Sequence, residues 1–219
     1  AYDNLQANQK QTINVSYSVT DDQGAFDQGS FLIELTGTND APVATFSESQ
    51  SASEGDSSIS GQLTASDVDA AGNPVYAVDG TPVAGLTISA DGSWSFDPTD
   101  PAYDNLQANQ SQTVNVNYSV TDDQGAQDQG SFSIELTGTN DAPVATFSDS
   151  QSAIEGSVSI NGQLSSIDVD ASGSPVYALV GAAISGLTIN PDGSWAFDPT
   201  NPAYDNLQAN QKQTINVSY

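Results

Sequence analysis

The chain lacks cysteine, histidine, methionine and arginine, and its only basic side chains are Lys10 and Lys212. Without cysteine it can form no disulfide, the covalent cross-link that usually stabilises small secreted domains. Without histidine, cysteine or arginine, the usual pairs of nucleophile and base cannot be built. These absences remove most enzyme mechanisms and leave metal crosslinks as the other common means of stabilising a small domain.

The scarcity of positive charge also limits the partners of the chain. Its 28 acidic residues against two basic ones give a formal net charge of −26. Nucleic acid is excluded as a natural partner, because phosphate groups are bound by Lys and Arg. Contact with an anionic membrane surface is excluded for the same reason. A charge of this sign keeps a long chain soluble and makes it a sink for divalent cations.

What the sequence does contain is an internal repeat. Trp94 recurs as Trp195, 101 residues later, and Asp40 recurs as Asp141 at the same offset. A fixed period of about 100 residues matches one small domain and is too long for one turn of a solenoid. We interpret residues 43–143 as a complete repeat, residues 1–42 as the last part of one and residues 144–219 as the first part of another. Our hypothesis is that each partial repeat is completed by another copy of the chain.

Within the complete repeat, two segments alternate cleanly between apolar and polar residues. Residues 112–120 place Val114, Val116, Tyr118 and Val120 on one face, and residues 130–136 do the same with Phe132, Ile134 and Leu136. Period two with one polar face predicts half-buried antiparallel strands. The pattern also argues against disorder, which low aromatic content and high net charge would otherwise suggest.

Shorter strands are predicted at 58–63, 75–78, 85–89 and 93–96. Asp91-Gly92 is a strong signal for a two-residue hairpin turn, and residues 123–125 predict a second turn. Six or seven short strands in about 100 residues predict an all-β fold, a β-sandwich of immunoglobulin-like or cadherin-like topology. Trp94 and Phe96, with Leu86, Ile88 and Tyr118, are the predicted core. The two Trp are interpreted as core residues; stacking on carbohydrate is the alternative.

Acidic motifs recur at fixed places in the repeat: Ser-Glu-Gly, Asp-Val-Asp, Tyr-Asp-Asn, Thr-Asp-Asp and Thr-Asn-Asp-Ala-Pro. Carboxylates that lack basic partners repel one another unless a cation lies between them. Calcium takes six to eight oxygen ligands, mostly carboxylates and carbonyls, so Ca²⁺ is the economical explanation. The alternative is that these are solvated turn residues, since turns favour Asp and Asn in any case.

The ordered motifs resemble those of cadherin repeats, and more closely the VCBS-type repeats of giant RTX-type bacterial surface adhesins. The resemblance covers the whole chain. It rests on Glu54, Asp67-Val-Asp69, Asp104, Asp91-Gly-Ser-Trp-Ser-Phe96 and the segment Thr139-Asn-Asp-Ala-Pro-Val-Ala-Thr-Phe147. It implies sandwiches joined end to end by short calcium-binding linkers, on the surface of a Gram-negative bacterium after type I secretion.

Carried over residue by residue, the resemblance implies a calcium cluster at each of two linkers. The ligands at the second linker would be Asn140 and Asp141 with Glu54 and Asp104 before them and Asp168 and Asp170 after them. Those at the first linker would be Asn39 and Asp40 with Asp3 before them and Asp67 and Asp69 after them, Asp122 being an additional candidate. The corresponding Glu would lie upstream of residue 1.

The chain departs from the cadherin linker motif at two places. Thr38 and Thr139 replace its leading Asp, and Ala41 and Ala142 replace its trailing Asn. Fewer side-chain ligands therefore remain, and we expect one or two ions per linker rather than three.

These observations favour a structural extender, made stiff by Ca²⁺, with neighbouring identical repeats in cis as its partners. The alternative hypothesis is that the repeats themselves bind a cell-surface glycan or a like repeat on another cell. Near-identity of the repeats argues against it, because spacers can be copied whereas binding domains usually diverge. A hydrolase using paired carboxylates is disfavoured, because the acidic residues fall at repeat ends rather than around a cleft. We therefore expect no enzyme.

Overall fold

The structure, a computed structural model, describes residues 2–69, 72–170 and 173–219. Those residues form strands, turns and irregular segments apart from one short 3-10 helix, Pro202–Tyr204. No helix in these ranges has the length and apolar character that crossing a membrane requires. The chain divides into two compact units: the first is Ala1–Tyr103 with Asn109–Gly138, and the second is Asp104–Ala108 with Thr139–Tyr219.

The strands of the first unit run in chain order as follows: β1 (Lys10–Thr20), β2 (Phe26–Thr36), β3 (Val43–Ala44), β4 (Gln50–Ser53), β5 (Ile59–Gln62), β6 (Ala65–Ser66), β7 (Val75–Val78), β8 (Leu86–Ile88), β9 (Ser93–Phe96), β10 (Ser111–Thr121) and β11 (Gln127–Thr137). The second unit contains β12 (Val144–Ala145), β13 (Ile160–Gln163), β14 (Ser166–Ile167), β15 (Leu187–Ile189) and β16 (Ser194–Phe197).

Two sheets of the first unit face each other. One is four-stranded in the order β4-β11-β10-β7, with β4 parallel to β11 and the other pairs antiparallel. The other is three-stranded in the order β5-β9-β8. Strands β3 and β6 form a separate pair, and β1 and β2 form a two-stranded sheet of their own.

The core lies between the two larger sheets. Tyr118 of β10 and Phe96 of β9 are fully buried, and Trp94 of β9 packs on Phe132 of β11 with ring centroids 5.1 Å apart. The inward positions of β10 and β11 are those that the alternating pattern predicted. The unit is therefore an immunoglobulin-like or cadherin-like β-sandwich, as the sequence indicated. Both Trp are core residues, whereas Leu86 and Ile88 are only half-buried.

The second unit repeats part of this arrangement. Strand β16 lies between β13 and β15, with the same register as β9 between β5 and β8. Trp195, Leu164 and Tyr204 are buried in it.

The predicted strands at 75–78 and 93–96 have the predicted bounds, and those at 58–63 and 85–89 are shorter by one residue at each end. The Asp91-Gly92 turn is present: Gly92 has φ +84° and its N–H donates to the Ser89 carbonyl. Strands β3, β4 and β6 were not predicted. They have two to four residues each and no alternation, so only their pairing with a partner strand defines them.

Candidate cation-binding site

The Asp-Val-Asp motif forms a tight turn directly after β6. The backbone N–H of Asp69 donates to Oδ1 of Asp67 over 3.1 Å, so the first carboxylate fixes the position of the second. Asp69 is 7% exposed, an unusual burial for a carboxylate. The turn therefore holds two carboxylates close together and directs one of them inward.

The Asn-Asp pair that precedes β3 closes over this turn. The backbone N–H of Asp40 donates to Oδ2 of Asp69 over 3.3 Å. The side-chain amide of Asn39 donates to Oδ2 of Asp122 over 2.8 Å and to its neighbour's carbonyl over 3.0 Å. These contacts bring together Asn39, Asp40, Asp67, Asp69 and Asp122, which we call the Asp40 cluster.

Asp122 is positioned by the turn that joins β10 and β11. Its Oδ1 accepts hydrogen bonds from the backbone N–H groups of Gln124 and Ala126, over 2.9 and 2.8 Å. Its other oxygen remains directed at Asn39. Because β10 and β11 are the central strands of the sandwich, this carboxylate is anchored to the rigid part of the fold.

Two carboxylates of the cluster, Asp67 and Asp122, have opposite pKa shifts. The pKa of Asp67 is raised, first by burial and further by the charges of Asp69 and Asp122, against the hydrogen bond from the Asp69 backbone. The pKa of Asp122 is lowered, chiefly by the hydrogen bond from Asn39. Negative charge is thus concentrated here beyond what local donors neutralise. The one ion pair in the described ranges joins Lys10 to Glu34.

The donor set of the Asp40 cluster suits a hard cation. It offers four carboxylates and the side-chain amide of Asn39, which can present its oxygen if the amide turns over. In the arrangement described, no three His, Cys, Asp or Glu side chains of the described residues lie close enough for a ready-made metal site. Some carboxylate oxygens instead accept from Asp40 N–H and the Asn39 amide. Binding a cation would require these donors to give way.

The second unit contains the same turn and the same closing pair, which we call the Asp141 cluster: Asn140, Asp141, Asp168 and Asp170. The Asp141 N–H donates to Oδ2 of Asp170 over 3.3 Å, and the Asp170 N–H donates to Oδ1 of Asp168 over 3.3 Å. The pKa of Asp168 is raised, first by its hydrogen bond with the Asp170 side chain and then by burial.

The remaining predicted ligands lie in three other places. Asp3 is exposed in the turn before β1, and within the described ranges it makes no hydrogen bond to the Asp40 cluster. Glu54 is 6% exposed at the end of β4, where its backbone N–H donates to the Thr137 carbonyl. Asp104 is half-buried in the second unit.

One acidic residue near the Asp40 cluster was not among the predicted ligands. Asp123 and Asp67 both line a small cavity of about 80 Å³, together with Pro42 and Pro74. The sequence signal was the Thr-Asp-Asp doublet, from which only the first Asp was chosen. Which member of a doublet faces a site depends on the conformation of the turn, and the sequence pattern does not specify that conformation.

Comparison with known proteins bears on the unit that holds this cluster. Residues 39–135 match the family model described as a bacterial Ig domain. The matched segment includes every residue of the Asp40 cluster and all of the facing sheets except the last two residues of β11. It spans less than half of the chain. No curated protein matches the sequence.

Solved cadherin structures are similar to the chain at low identity. Drosophila N-cadherin EC1-4 is 18% identical, with a TM-score of 0.47, and the match covers 92% of this chain and 52% of that one. Human CDH23 EC21-23 is 18% identical, with a TM-score of 0.48 and coverage of 85% and 63%. The protocadherin GammaB4 extracellular domain is 17% identical, with a TM-score of 0.40 and coverage of 86% and 34%. The chain thus spans about one third to two thirds of the length of these structures.

Proposed function

We propose that the chain is a segment of a structural extender in a bacterial cell-surface adhesin, in which Ca²⁺ at the junctions between repeats stiffens a string of sandwiches. The repeats in this proposal are residues 1–42, 43–143 and 144–219, with neighbouring repeats in cis as the partners. The chain acts outside the cell and has no catalytic role.

The Asp40 cluster carries the proposal. It gathers four carboxylates from three separate segments, the linker before β3, the turn after β6 and the β10–β11 turn, at the start of the proposed complete repeat. Lys10, one of only two basic residues, is paired with Glu34 and is not available to neutralise it. A divalent cation would both neutralise these charges and tie the three segments together.

The composition supports the same role. A repeated module that uses neither disulfides nor basic partners requires another source of rigidity, and Ca²⁺ is abundant outside cells. Extracellular calcium modules bind at about 0.1–1 mM, which suits that compartment. Glu54 and Asp104, with the Asp141 cluster, are the proposed ligands at the second junction, and Asp3 is a further one at the first.

The test is a calcium titration followed by calorimetry, thermal melting and solution scattering. We expect Ca²⁺ at millimolar concentration to raise the Tm and to lengthen the particle, and EDTA to reverse both. D69N removes one charge from the Asp40 cluster and should weaken binding at that site at least tenfold. E135Q removes the same charge from an exposed position on β11 and should leave binding unchanged. Identical melting and scattering in Ca²⁺ and in EDTA would contradict the proposal that calcium stiffens the chain.

A further inference from the structure

The first and last segments of the complete sandwich lie side by side and run in the same direction. Strand β4 pairs in parallel with the end of β11, from Gln50 opposite Ile134 to Ser53 opposite Thr137. The other strand pairs of the described residues are antiparallel. The parallel pairing therefore joins the beginning of this sandwich to its end.

Two further contacts extend this pairing toward the start of β11. The backbone N–H of Ala44 donates to Oδ2 of Asp128 over 2.9 Å, and the hydroxyls of Ser49 and Ser133 lie 3.1 Å apart. Both contacts join residues that are 84 positions apart in the chain, the same separation as in the pairing of β4 with β11. The first segment therefore follows β11 in one continuous register.

The chain enters and leaves the sandwich at opposite ends of these two segments, residues 44–53 and 128–137, which we call the parallel pair. It enters beside Asp128 and leaves after Thr137, whose carbonyl accepts from the Glu54 N–H over 2.9 Å. Tension applied through the two linkers pulls the first segment toward its own start and β11 toward its own end. The two segments would have to slide past each other, so their hydrogen bonds are loaded together rather than one after another.

From this geometry we infer that the parallel pair is the load-bearing element of the repeat and keeps the sandwich closed when tension passes along the chain. The inference rests on the proposed function only in that an extender transmits tension between its two ends; it does not require calcium. Strand β3 also pairs with β6, but only through Val43 and Ala44. The longer parallel pair therefore sets the force at which the sandwich opens.

The direction of the backbone identifies the groups that carry the load. In an extended strand the N–H groups of successive residues point to opposite edges. Because the Glu54 N–H faces β11, the N–H of Ala52 faces β11 as well, and that of Ser51 faces away. At the other end of the parallel pair, the bond from the Ala44 N–H is the first cause that lowers the pKa of Asp128. The acceptor there is a charged carboxylate at neutral pH, and bonds to charged acceptors are the stronger ones.

Single-molecule pulling of the full chain tests the inference by changing only the direction of the force. The chain has no native cysteine, so handles can be attached at exposed positions through A41C/A142C, which loads one complete repeat from linker to linker. The variant A41C/Q124C places both handles at the end where the parallel pair begins, so the same sandwich is peeled open from that end. The length of chain released, about 3.5 Å per residue between the handles, identifies each unfolding event.

We expect A41C/A142C to unfold at a force at least about twofold higher than A41C/Q124C at the same loading rate, because forced unfolding follows the barrier to unfolding. Equal forces, or a higher force in the peeling direction, would overturn the inference. The difference should persist in EDTA; a difference that vanished there would assign the load to a bound cation instead. A chain that keeps the difference but shows no calcium response in melting and scattering contradicts the calcium proposal and supports the parallel pair.

Proline substitutions in β4 test which bonds carry the load, because Pro has no N–H to donate to a neighbouring strand. In A41C/A142C, the added substitution A52P should lower the unfolding force at least about twofold, and S51P should leave it within about one fifth of the parent. Equal effects of A52P and S51P would contradict the assignment of the load to the bonds between β4 and β11. If A52P does not fold, the comparison of the two pulling directions still decides, since it leaves the parallel pair unaltered.

Discussion

At the scale of single residues, the contact between Gly130 and Tyr118 gives the sharpest constraint on the core. A Cβ at position 130 would lie 2.4 Å from Cζ of Tyr118, whose ring is fully buried and whose hydroxyl is fixed to the Phe46 carbonyl. The ring cannot move aside, so G130A should destabilise the sandwich by about 1–3 kcal/mol, as overpacking does. Urea denaturation followed by fluorescence measures the change.

The same substitution in the other hairpin is the control for this prediction. A Cβ at Gly29 would lie 2.6 Å from Cζ of Tyr17, but that ring is half-exposed and can swing into solvent. We expect G29A to cost less than about 0.5 kcal/mol, the usual range of a surface change. Equal costs at the two positions would show that rigidity of the ring does not decide the outcome.

A second prediction at this scale concerns Asp97 and the pH dependence of stability. Its Oδ1 accepts from the backbone N–H and the hydroxyl of Thr99, over 3.0 and 2.8 Å, and these bonds lower its pKa. A carboxyl whose folded pKa is lowered contributes stability above its unfolded pKa and loses it as the pH falls through the folded pKa. D97A should therefore lower the Tm at about pH 7, and the difference should vanish by about pH 2.

The control for D97A is D56A, because the exposed Asp56 side chain accepts no hydrogen bond from the described residues. Its Tm difference from the parent should stay flat across the same pH range. A D97A difference that persisted unchanged at low pH would mean that the turn, rather than the charged carboxylate, causes the effect.

At the scale of elements, strong periodicity predicted strands well and pairing alone defined the rest. Strands β7 and β9 were predicted with their bounds, and β10 and β11 with their inward faces, because each has alternating or aromatic residues. Strand β4, with the sequence Gln-Ser-Ala-Ser, carries no such signal and exists because it pairs with β11. Tertiary context decides such segments.

Strand β7 and its equivalent in the second unit, residues 176–179, test this dependence on pairing. Pro74-Val-Tyr-Ala77 recurs as Pro175-Val-Tyr-Ala178, but only the first copy forms a strand, because β10 pairs with it. Peptides covering 75–78 should exchange amide hydrogens at least tenfold more slowly than those covering 176–179. Hydrogen exchange with mass spectrometry measures this, and equal rates would contradict the assignment.

The candidate site was predictable where it depends on short motifs and not where it depends on turn geometry. The linker pair Asn39-Asp40 and the Asp-Val-Asp turn are local signals, and the structure places them in contact. Asp123 was missed because the direction of each carboxylate follows from the β10–β11 turn. Asp3 makes no contact with the cluster among the described residues. A motif does not specify which segments distant in sequence lie close in space, so the sequence could not predict this.

At the scale of the whole molecule, the net charge of −26 means that salts can stabilise the chain in two ways. Monovalent salt screens repulsion between exposed carboxylates, with a Debye length of about 10 Å at 0.1 M. A bound divalent cation acts instead at one place and at concentrations too low to screen. The two mechanisms therefore predict different dependences on ionic strength.

We expect NaCl to raise the Tm gradually up to about 0.15 M, and about 1 mM CaCl₂ to raise it further at that salt concentration, where it adds almost nothing to ionic strength. MgCl₂ at the same concentration should do less, because Mg²⁺ demands a near-octahedral shell and keeps its water. The calcium increment should shrink in D69N and again in D69N/D170N, since these change the two clusters one after the other. If CaCl₂, MgCl₂ and NaCl act alike at equal ionic strength, the clusters only repel, and the carboxylates of the repeat are solvated turn residues.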